Sequence, residues 1–118
     1  MNLILVRHGE TEWNMQRRFQ GQLDIPLNIK GQWQAQQAAQ ALAGRPIDYL
    51  FSSDLRRAHA TGEAIAEVCD RPITIEPRLR EKGFGTWEGL SYAEIQEIDA
   101  EGYKRWREDP SVYTPAGG

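Results

Sequence analysis

The sequence has a single cysteine, Cys69, among its 118 residues. An internal disulfide is therefore excluded, which favours a reducing compartment such as the cytoplasm. Long apolar runs are also absent, and none approaches the roughly 18 residues that a membrane-spanning helix needs. The first apolar run, residues 3–6 (LILV), begins too close to Met1 to leave room for a leader peptide. We therefore expect a cytoplasmic protein that does not bind a membrane.

Positive charge is not in excess either, since 14 Lys and Arg residues face 17 Asp and Glu residues, for a net charge of -3. This balance argues against a general nucleic-acid binder, so any anion site must be a local cluster of cations. Only two histidines, His8 and His59, are present, and no clustered histidines and carboxylates suggest a metal site. We expect neither a metal nor a cofactor. The length predicts a single domain.

Patterns typical of strands and helices alternate along the chain. The predicted elements are a buried strand at 3–6, a helix at 31–43, a strand at 47–51, a helix capped by Ser52, Ser53 or Asp54 that runs to about Cys69, and a strand at 72–77. This order favours right-handed parallel crossovers and an α/β fold. Further on, Ser91 and Glu94 have the spacing of a capping box and predict a helix through Ile98.

Arginines follow the first two predicted strands, with Arg7 and His8 after the first and Arg56 and Arg57 after the second. In parallel α/β sheets, ligands bind beyond the carboxyl ends of the strands, so these loops are expected to meet in one crevice. The guanidinium group offers a fixed fork of donors that suits phosphate. A neutral imidazole beside arginines can accept a phosphoryl group and pass it to water. Taken alone, an Arg-His pair after a strand is more often an ordinary loop feature or a satisfied polar contact.

Four stretches carry a resemblance to a known family. They are residues 5–14 (LVRHGETEWN), 19–31 (FQGQLDIPLNIKG), 52–62 (SSDLRRAHATG) and 78–89 (RLREKGFGTWEG). In this order the sequence resembles the histidine phosphatase superfamily, in the branch with cofactor-dependent phosphoglycerate mutases, broad phosphatases and α-ribazole phosphatase. The resemblance implies a three-layer α/β/α fold with a mostly parallel sheet, like that of phosphoglycerate mutase.

The resemblance also implies roles for individual residues. His8 would be the phosphorylated nucleophile, and Arg7, Asn14 and Arg57 would contact the transferring phosphate. Glu81 would donate a proton to the leaving alkoxide and then accept one from water.

Further positions follow from the same motifs. Gln20 and Gly21 match the loop that lies beside the substrate in the family. Arg17 and Arg18 are expected to be surface charges. The alternative is that one of them contacts a charged tail of the substrate.

The sequence departs from the family pattern at one important point. The family has a second histidine near the end of its domain, and this histidine faces the nucleophile. The 118 residues hold no counterpart beyond His8 and His59. We therefore expect residues 1–118 to form one histidine phosphatase domain whose C-terminal part is missing, either as a fragment or as a truncated gene product.

The function expected from these features is metal-independent hydrolysis of phosphomonoesters through a phosphohistidine, with a site that is incomplete in this chain. One alternative is phosphoryl transfer of the phosphoglycerate mutase type, and another is a non-catalytic phosphate-binding or interaction module. The expected partners are a small phosphorylated substrate and either further copies of the chain or a complementary chain fragment. Neither nucleic acid nor a membrane is expected among them.

Overall fold

The computed structural model describes all residues from Met1 to Gly118. The chain divides into two compact units: Met1–Thr11 with Asp24–Arg80, and Glu12–Leu23 with Glu81–Gly118. The helices are α1 (Glu12–Met15), α2 (Ile29–Leu42), α3 (Arg56–Cys69), α4 (Tyr92–Ile98) and α5 (Ala100–Glu108). The strands are β1 (Leu50–Ser52) and β2 (Ile73–Ile75), and Pro77–Leu79 and Gly85–Trp87 form single 3-10 turns.

The first unit packs α2 and α3 together beside a two-stranded parallel sheet. Strands β1 and β2 pair with Leu50 opposite Ile73 and Ser52 opposite Ile75. Small residues on both helices allow close packing, and the buried cluster consists of Leu27, Ala35, Ala39, Ala64 and Ile65. The α/β class and the parallel pairing predicted from the sequence are confirmed.

The beginning of α3 differs from the sequence-based prediction. Its N-cap is Leu55, which makes no side-chain capping hydrogen bond. The backbone N–H of Arg56 instead donates to Asp24 Oδ1 at 2.7 Å, so a carboxylate 32 positions away caps the helix. A negatively charged carboxylate at the N-terminus of a helix also interacts favourably with the positive end of the helix dipole. The predicted capping by Ser52, Ser53 or Asp54 is therefore wrong.

The predicted first strand, residues 3–6, is not formed as a strand. A continuous apolar run predicts burial on both faces, but Leu3 is 78% exposed and Leu5 is 85% exposed. On β1, Phe51 is also 55% exposed. Strand formation requires a neighbouring strand and covering side chains, and the described residues do not provide them to this segment.

The second unit is built around an aromatic cluster. Phe19 is buried, and its ring centre lies 4.8 to 5.3 Å from those of four other rings, Phe84, Trp87, Tyr92 and Trp106. Tilted and edge-on ring pairs of this kind are favourable beyond the apolar area that they bury.

Helix α4 of this unit begins with the predicted capping box. Ser91 Oγ accepts from the backbone N–H of Glu94, and the Glu94 carboxylate accepts from the backbone N–H of Ser91. This prediction is confirmed. Neither here nor elsewhere does a helix combine the length and apolar character needed to cross a bilayer.

Candidate active site

The His8 loop, residues 7–10, fixes the orientation of its imidazole ring. His8 Nδ1 lies 2.6 Å from the carbonyl oxygen of Gly9. A carbonyl can only accept, so Nδ1 must carry the proton of this hydrogen bond. In the neutral ring this places the lone pair on Nε2. Nε2 is therefore the ring nitrogen that is left with a lone pair.

A single hydroxyl group connects the His8 loop to helix α3. The backbone N–H of Gly9 donates to Thr61 Oγ1 at 3.1 Å, and the same hydroxyl donates to the carbonyl oxygen of Arg57 at 2.8 Å. Arg57 is only 1% exposed, and Thr61 is buried as well. The structure thus brings the His8 loop next to the helical turn that carries Arg57. The sequence analysis missed Thr61, and its spacing of four residues from Arg57 was the available signal.

The other side of the His8 loop lies against the first turn of α2. A Cβ atom at Gly9 would overlap the backbone of Gly31, and one at Gly31 would overlap the backbone of Glu10. The backbone N–H of Glu10 donates to Gln34 Oε1 at 2.8 Å, and its carbonyl accepts from the N–H of Asn28 at 3.0 Å. These contacts hold the loop in one conformation.

Glu10 itself accepts a hydrogen bond from Asn28 Nδ2 at 3.0 Å. The structure therefore places this carboxylate at the N-terminus of α2, where it supports the loop.

In the second unit, the Gln20-Gly21 loop and Glu81 lie together. Gln20 and Gly21 are buried, and Gln22 Nε2 donates to the carbonyl oxygen of Glu81 at 3.2 Å. Gly21 has a left-handed φ of 53°, and a Cβ there would overlap the carboxylate of Glu88. The left-handed backbone angle favours glycine at position 21, and a side chain there would also have to displace the Glu88 carboxylate.

Glu81 is an exposed residue whose Oε1 atom accepts from the backbone N–H of Lys82 at 2.8 Å. The flanking Lys82 Nζ donates to the carbonyl oxygen of Pro110 at 3.0 Å and also to that of Tyr113. The residue that follows Glu81 is therefore held by hydrogen bonds to backbone carbonyls of the second unit.

Arg80, on the other side of Glu81, forms a two-pronged ion pair inside the first unit. Its Nε donates to Asp54 Oδ1 at 2.7 Å, and its Nη2 donates to Asp54 Oδ2. Hydrogen bonds from this guanidinium hold the pKa of Asp54 below its ordinary value. The pair was not predicted from the sequence, because the two residues are 26 positions apart.

Arg17 and Arg18, which are expected to be surface charges, differ in their surroundings. Arg18 donates to the Glu94 carboxylate at 3.0 Å and to the Gly89 carbonyl at 2.8 Å, so it supports the second unit. Arg17 is exposed, with a left-handed φ of 54°. Only Arg17 therefore stays a candidate for contact with a charged substrate tail.

The predicted site residues divide between the two units. Arg7, which is exposed, His8 and Arg57 belong to the first unit. The second unit holds Asn14 on α1, Gln20, Gly21 and Glu81. Among all residues, no group of three or more His, Cys, Asp or Glu side chains is arranged to hold a metal ion.

Comparison with known proteins identifies the class to which this arrangement belongs. Residues 3–118 match the family model described as histidine phosphatase superfamily, branch 1. The chain is a member of that superfamily, so the family resemblance and the fold class predicted from the sequence are confirmed.

Named relatives share about two residues in five with the chain. It is 42% identical over 117 residues to the glucosyl-3-phosphoglycerate phosphatase of Mycobacterium tuberculosis, covering 98% of this chain and 52% of that protein. It is 41% identical to phosphoglycerate mutase-like protein 4 of Arabidopsis thaliana, again covering 98% of this chain and 52% of that protein.

A solved structure of mycobacterial glucosyl-3-phosphoglycerate phosphatase with VO3 matches with a TM-score of 0.86 and 38% identity, over 91% of this chain and 53% of that one. The chain thus spans about half the length of the relatives it matches. For measurements of activity we define the extended version as this chain joined to the part of the M. tuberculosis relative that the match leaves uncovered.

The Thr61 link yields a stability prediction. In the extended version, Thr61→Val is expected to lower the free energy of unfolding by about 1–3 kcal/mol, because the buried N–H of Gly9 loses its acceptor. Thr61→Ser keeps the hydroxyl and is expected to lose less. Urea unfolding of both variants measures the difference. If Val is tolerated as well as Ser, the hydroxyl does not hold the loop.

Proposed function

We propose that this chain carries the nucleophile, part of the phosphate-binding site and the proton donor of a phosphomonoesterase that works through a phosphohistidine and needs no metal. The observation that carries the proposal is the single buried link from Gly9 through Thr61 to Arg57. It holds the His8 loop, whose imidazole has a defined tautomer, beside the helical turn that carries the buried Arg57. Transfer of a phosphoryl group to a histidine requires a nucleophilic nitrogen and fixed positive charge close to each other.

The first chemical step forms the bond between His8 Nε2 and phosphorus. The bond between phosphorus and the ester oxygen breaks, and the leaving alkoxide takes a proton from the Glu81 carboxyl group. Arg7 and Arg57 oppose the negative charge on the phosphoryl oxygens during transfer, with Asn14 as a further hydrogen-bond donor.

In the second step, water attacks the phosphorus of the phosphohistidine while Glu81, now ionised, accepts a proton from that water. The N–P bond breaks, and inorganic phosphate and neutral His8 are released. Glu81 regains its proton, so the cycle balances. Gln20 and Gly21 form the wall of the substrate site, since the left-handed Gly21 lets the backbone approach closely.

The proposed substrates are small phosphate monoesters. This class fits the named relatives, one of which is a glucosyl-3-phosphoglycerate phosphatase. We also propose that residues 1–118 are one part of a single histidine phosphatase domain. The lone Cys69 favours a cytoplasmic location.

A second candidate is mutase chemistry, favoured by the similarity to a phosphoglycerate mutase-like protein. Here the phosphoryl group on His8 would pass to a substrate hydroxyl in place of water.

The test is hydrolysis of p-nitrophenyl phosphate by the extended version, followed by analysis of products from 3-phosphoglycerate. Released phosphate supports a phosphatase, and 2-phosphoglycerate supports the mutase. If the extended version binds vanadate but transforms neither ester, it is a binding module and the proposal fails.

Chelators are expected to leave the hydrolysis rate of the extended version unchanged. The reason is that arginines supply the positive charge that a metal would bring to a metal-dependent phosphatase. The measurement compares initial rates before and after dialysis against EDTA, with a sample returned to magnesium or zinc as control. A rate that falls in EDTA and recovers with either metal contradicts the arginine-based mechanism.

A further inference from the structure

We propose that the Asp54–Arg80 ion pair is a positioning device for Glu81, so that Asp54 and Arg80 are positioning residues for the proton-transfer step. The inference rests on the proposed function, in which Glu81 is the proton donor. It adds two residues that act on Glu81 through the chain and do not touch the substrate.

The backbone path to Arg80 is short and held at both ends. The N–H of Glu76 donates to the carbonyl oxygen of Ser52 at 2.7 Å, which continues the pairing of β2 with β1. The 3-10 turn Pro77–Leu79 follows, and Arg80 then binds Asp54 on the loop directly after β1. Both ends of the segment from Glu76 to Arg80 are therefore held by residues at or just after the end of β1.

The pair has the geometry of a specific restraint. Both nitrogen-to-oxygen contacts are parallel prongs of one guanidinium on one carboxylate, and this arrangement fixes direction as well as distance. Both side chains are about one-third exposed. Because Arg80 is joined to Glu81 by one peptide bond, fixing Arg80 limits the orientations open to the next residue.

A second ion pair nearby offers a matched control. Arg78 donates from Nε and Nη2 to the Glu76 carboxylate at 2.9 and 2.7 Å. It has the same two-pronged form but joins residues only two positions apart, and it closes no loop. Arg78→Gln removes this ion pair, while the Glu76 carboxylate can still accept from the backbone N–H at position 78, so the cap of the turn and the Asp54–Arg80 pair both stay in place.

The experiment compares kcat/KM of the extended version for two esters. The nitrophenolate of p-nitrophenyl phosphate leaves with little help from an acid, whereas the alkoxide of 3-phosphoglycerate needs a proton. We expect Asp54→Asn to lower kcat/KM for 3-phosphoglycerate by about tenfold or more and that for p-nitrophenyl phosphate by less than about threefold, since only the first depends on proton donation. Glu81→Gln is expected to show the same selectivity with a larger loss, and Arg78→Gln to change neither value.

A charge-exchanged variant, Asp54→Arg with Arg80→Asp, is expected to recover part of the loss on 3-phosphoglycerate, because it restores the pair. Equal losses on both esters in Asp54→Asn overturn the proposal, as they indicate a purely structural role. If Glu81→Gln itself shows no dependence on the leaving group, the role of Glu81 in the proposed function fails. If Glu81→Gln is selective and Asp54→Asn is not, only the positioning proposal fails.

A measurement that needs no turnover covers variants that lose activity for other reasons. The backbone N–H of Lys82 donates to the Glu81 carboxylate, so its hydrogen exchange reports the local conformation. Exchange at Lys82 is expected to be several-fold faster in Asp54→Asn than in Arg78→Gln. Equal exchange in the two variants contradicts the restraint.

Discussion

In the extended version, His8→Ala is expected to abolish the acid-labile phosphoenzyme that forms from a radiolabelled phosphate ester. The hydrogen bond to the Gly9 carbonyl leaves a lone pair on His8 Nε2 in the neutral ring, and the Thr61 hydroxyl holds the His8 loop beside the turn that carries Arg57. Acid quenching, gel separation and counting of the protein band measure the label. Because the covalent acceptor itself is removed, the expected loss is complete.

The control for this experiment is the other histidine of the chain. His59 lies on α3, and its Nδ1 atom is 3.4 Å from Glu63, on the solvent-facing side of the helix. His59→Ala is expected to keep full labelling. Label that persists in His8→Ala, or disappears in His59→Ala, contradicts the assignment of the nucleophile.

The 118-residue chain alone is expected to bind vanadate weakly and to hydrolyse phosphate esters at least about 10²- to 10³-fold more slowly than the extended version. That range is the usual cost of losing one group that stabilises the transition state, here the second histidine that the family resemblance implies. Residual anion affinity is expected, because His8 and the buried Arg57 are both present. Initial rates per mole of monodisperse protein measure the difference.

The same chain is also expected to self-associate. Leu3, Leu5 and Phe51 are all more than half exposed, and segments of this kind readily pair with another chain. Sedimentation velocity at several concentrations measures the size, and Leu3→Lys with Leu5→Lys is expected to shift the chain towards the monomer. A stable monomer that hydrolyses esters as fast as the extended version contradicts both expectations.

Features encoded within a few residues were predictable from the sequence. The Ser91–Glu94 capping box needs only residues three positions apart, and it is present. The cap of α3 comes from Asp24, which is 32 positions away, so local sequence suggested the wrong residues. Residues 3–6 show the same limit, since an apolar run predicts a strand only if neighbours exist to pair with it.

The site followed the same pattern. Strand-end loops and the family motifs predict His8 and Arg57, and in the structure the Thr61 hydroxyl joins the backbone of Gly9, next to His8, to the backbone carbonyl of Arg57. That link depends on how a loop meets a helix some fifty residues later. The Asp54–Arg80 pair likewise forms only because the chain folds back between these two residues, and no local sequence pattern indicates this.

The close approach of Gly9 and Gly31 has a consequence for engineering this protein. Glycine inside a helix costs up to about 1 kcal/mol relative to alanine, so a survey of helix propensity would select Gly31 in α2 for replacement. At this position the added methyl group would press on the backbone of Glu10 and displace the loop that carries His8. Glycine at position 31 therefore lowers the stability of α2 but lets the His8 loop pack against it. Thermostabilised variants should keep both glycines.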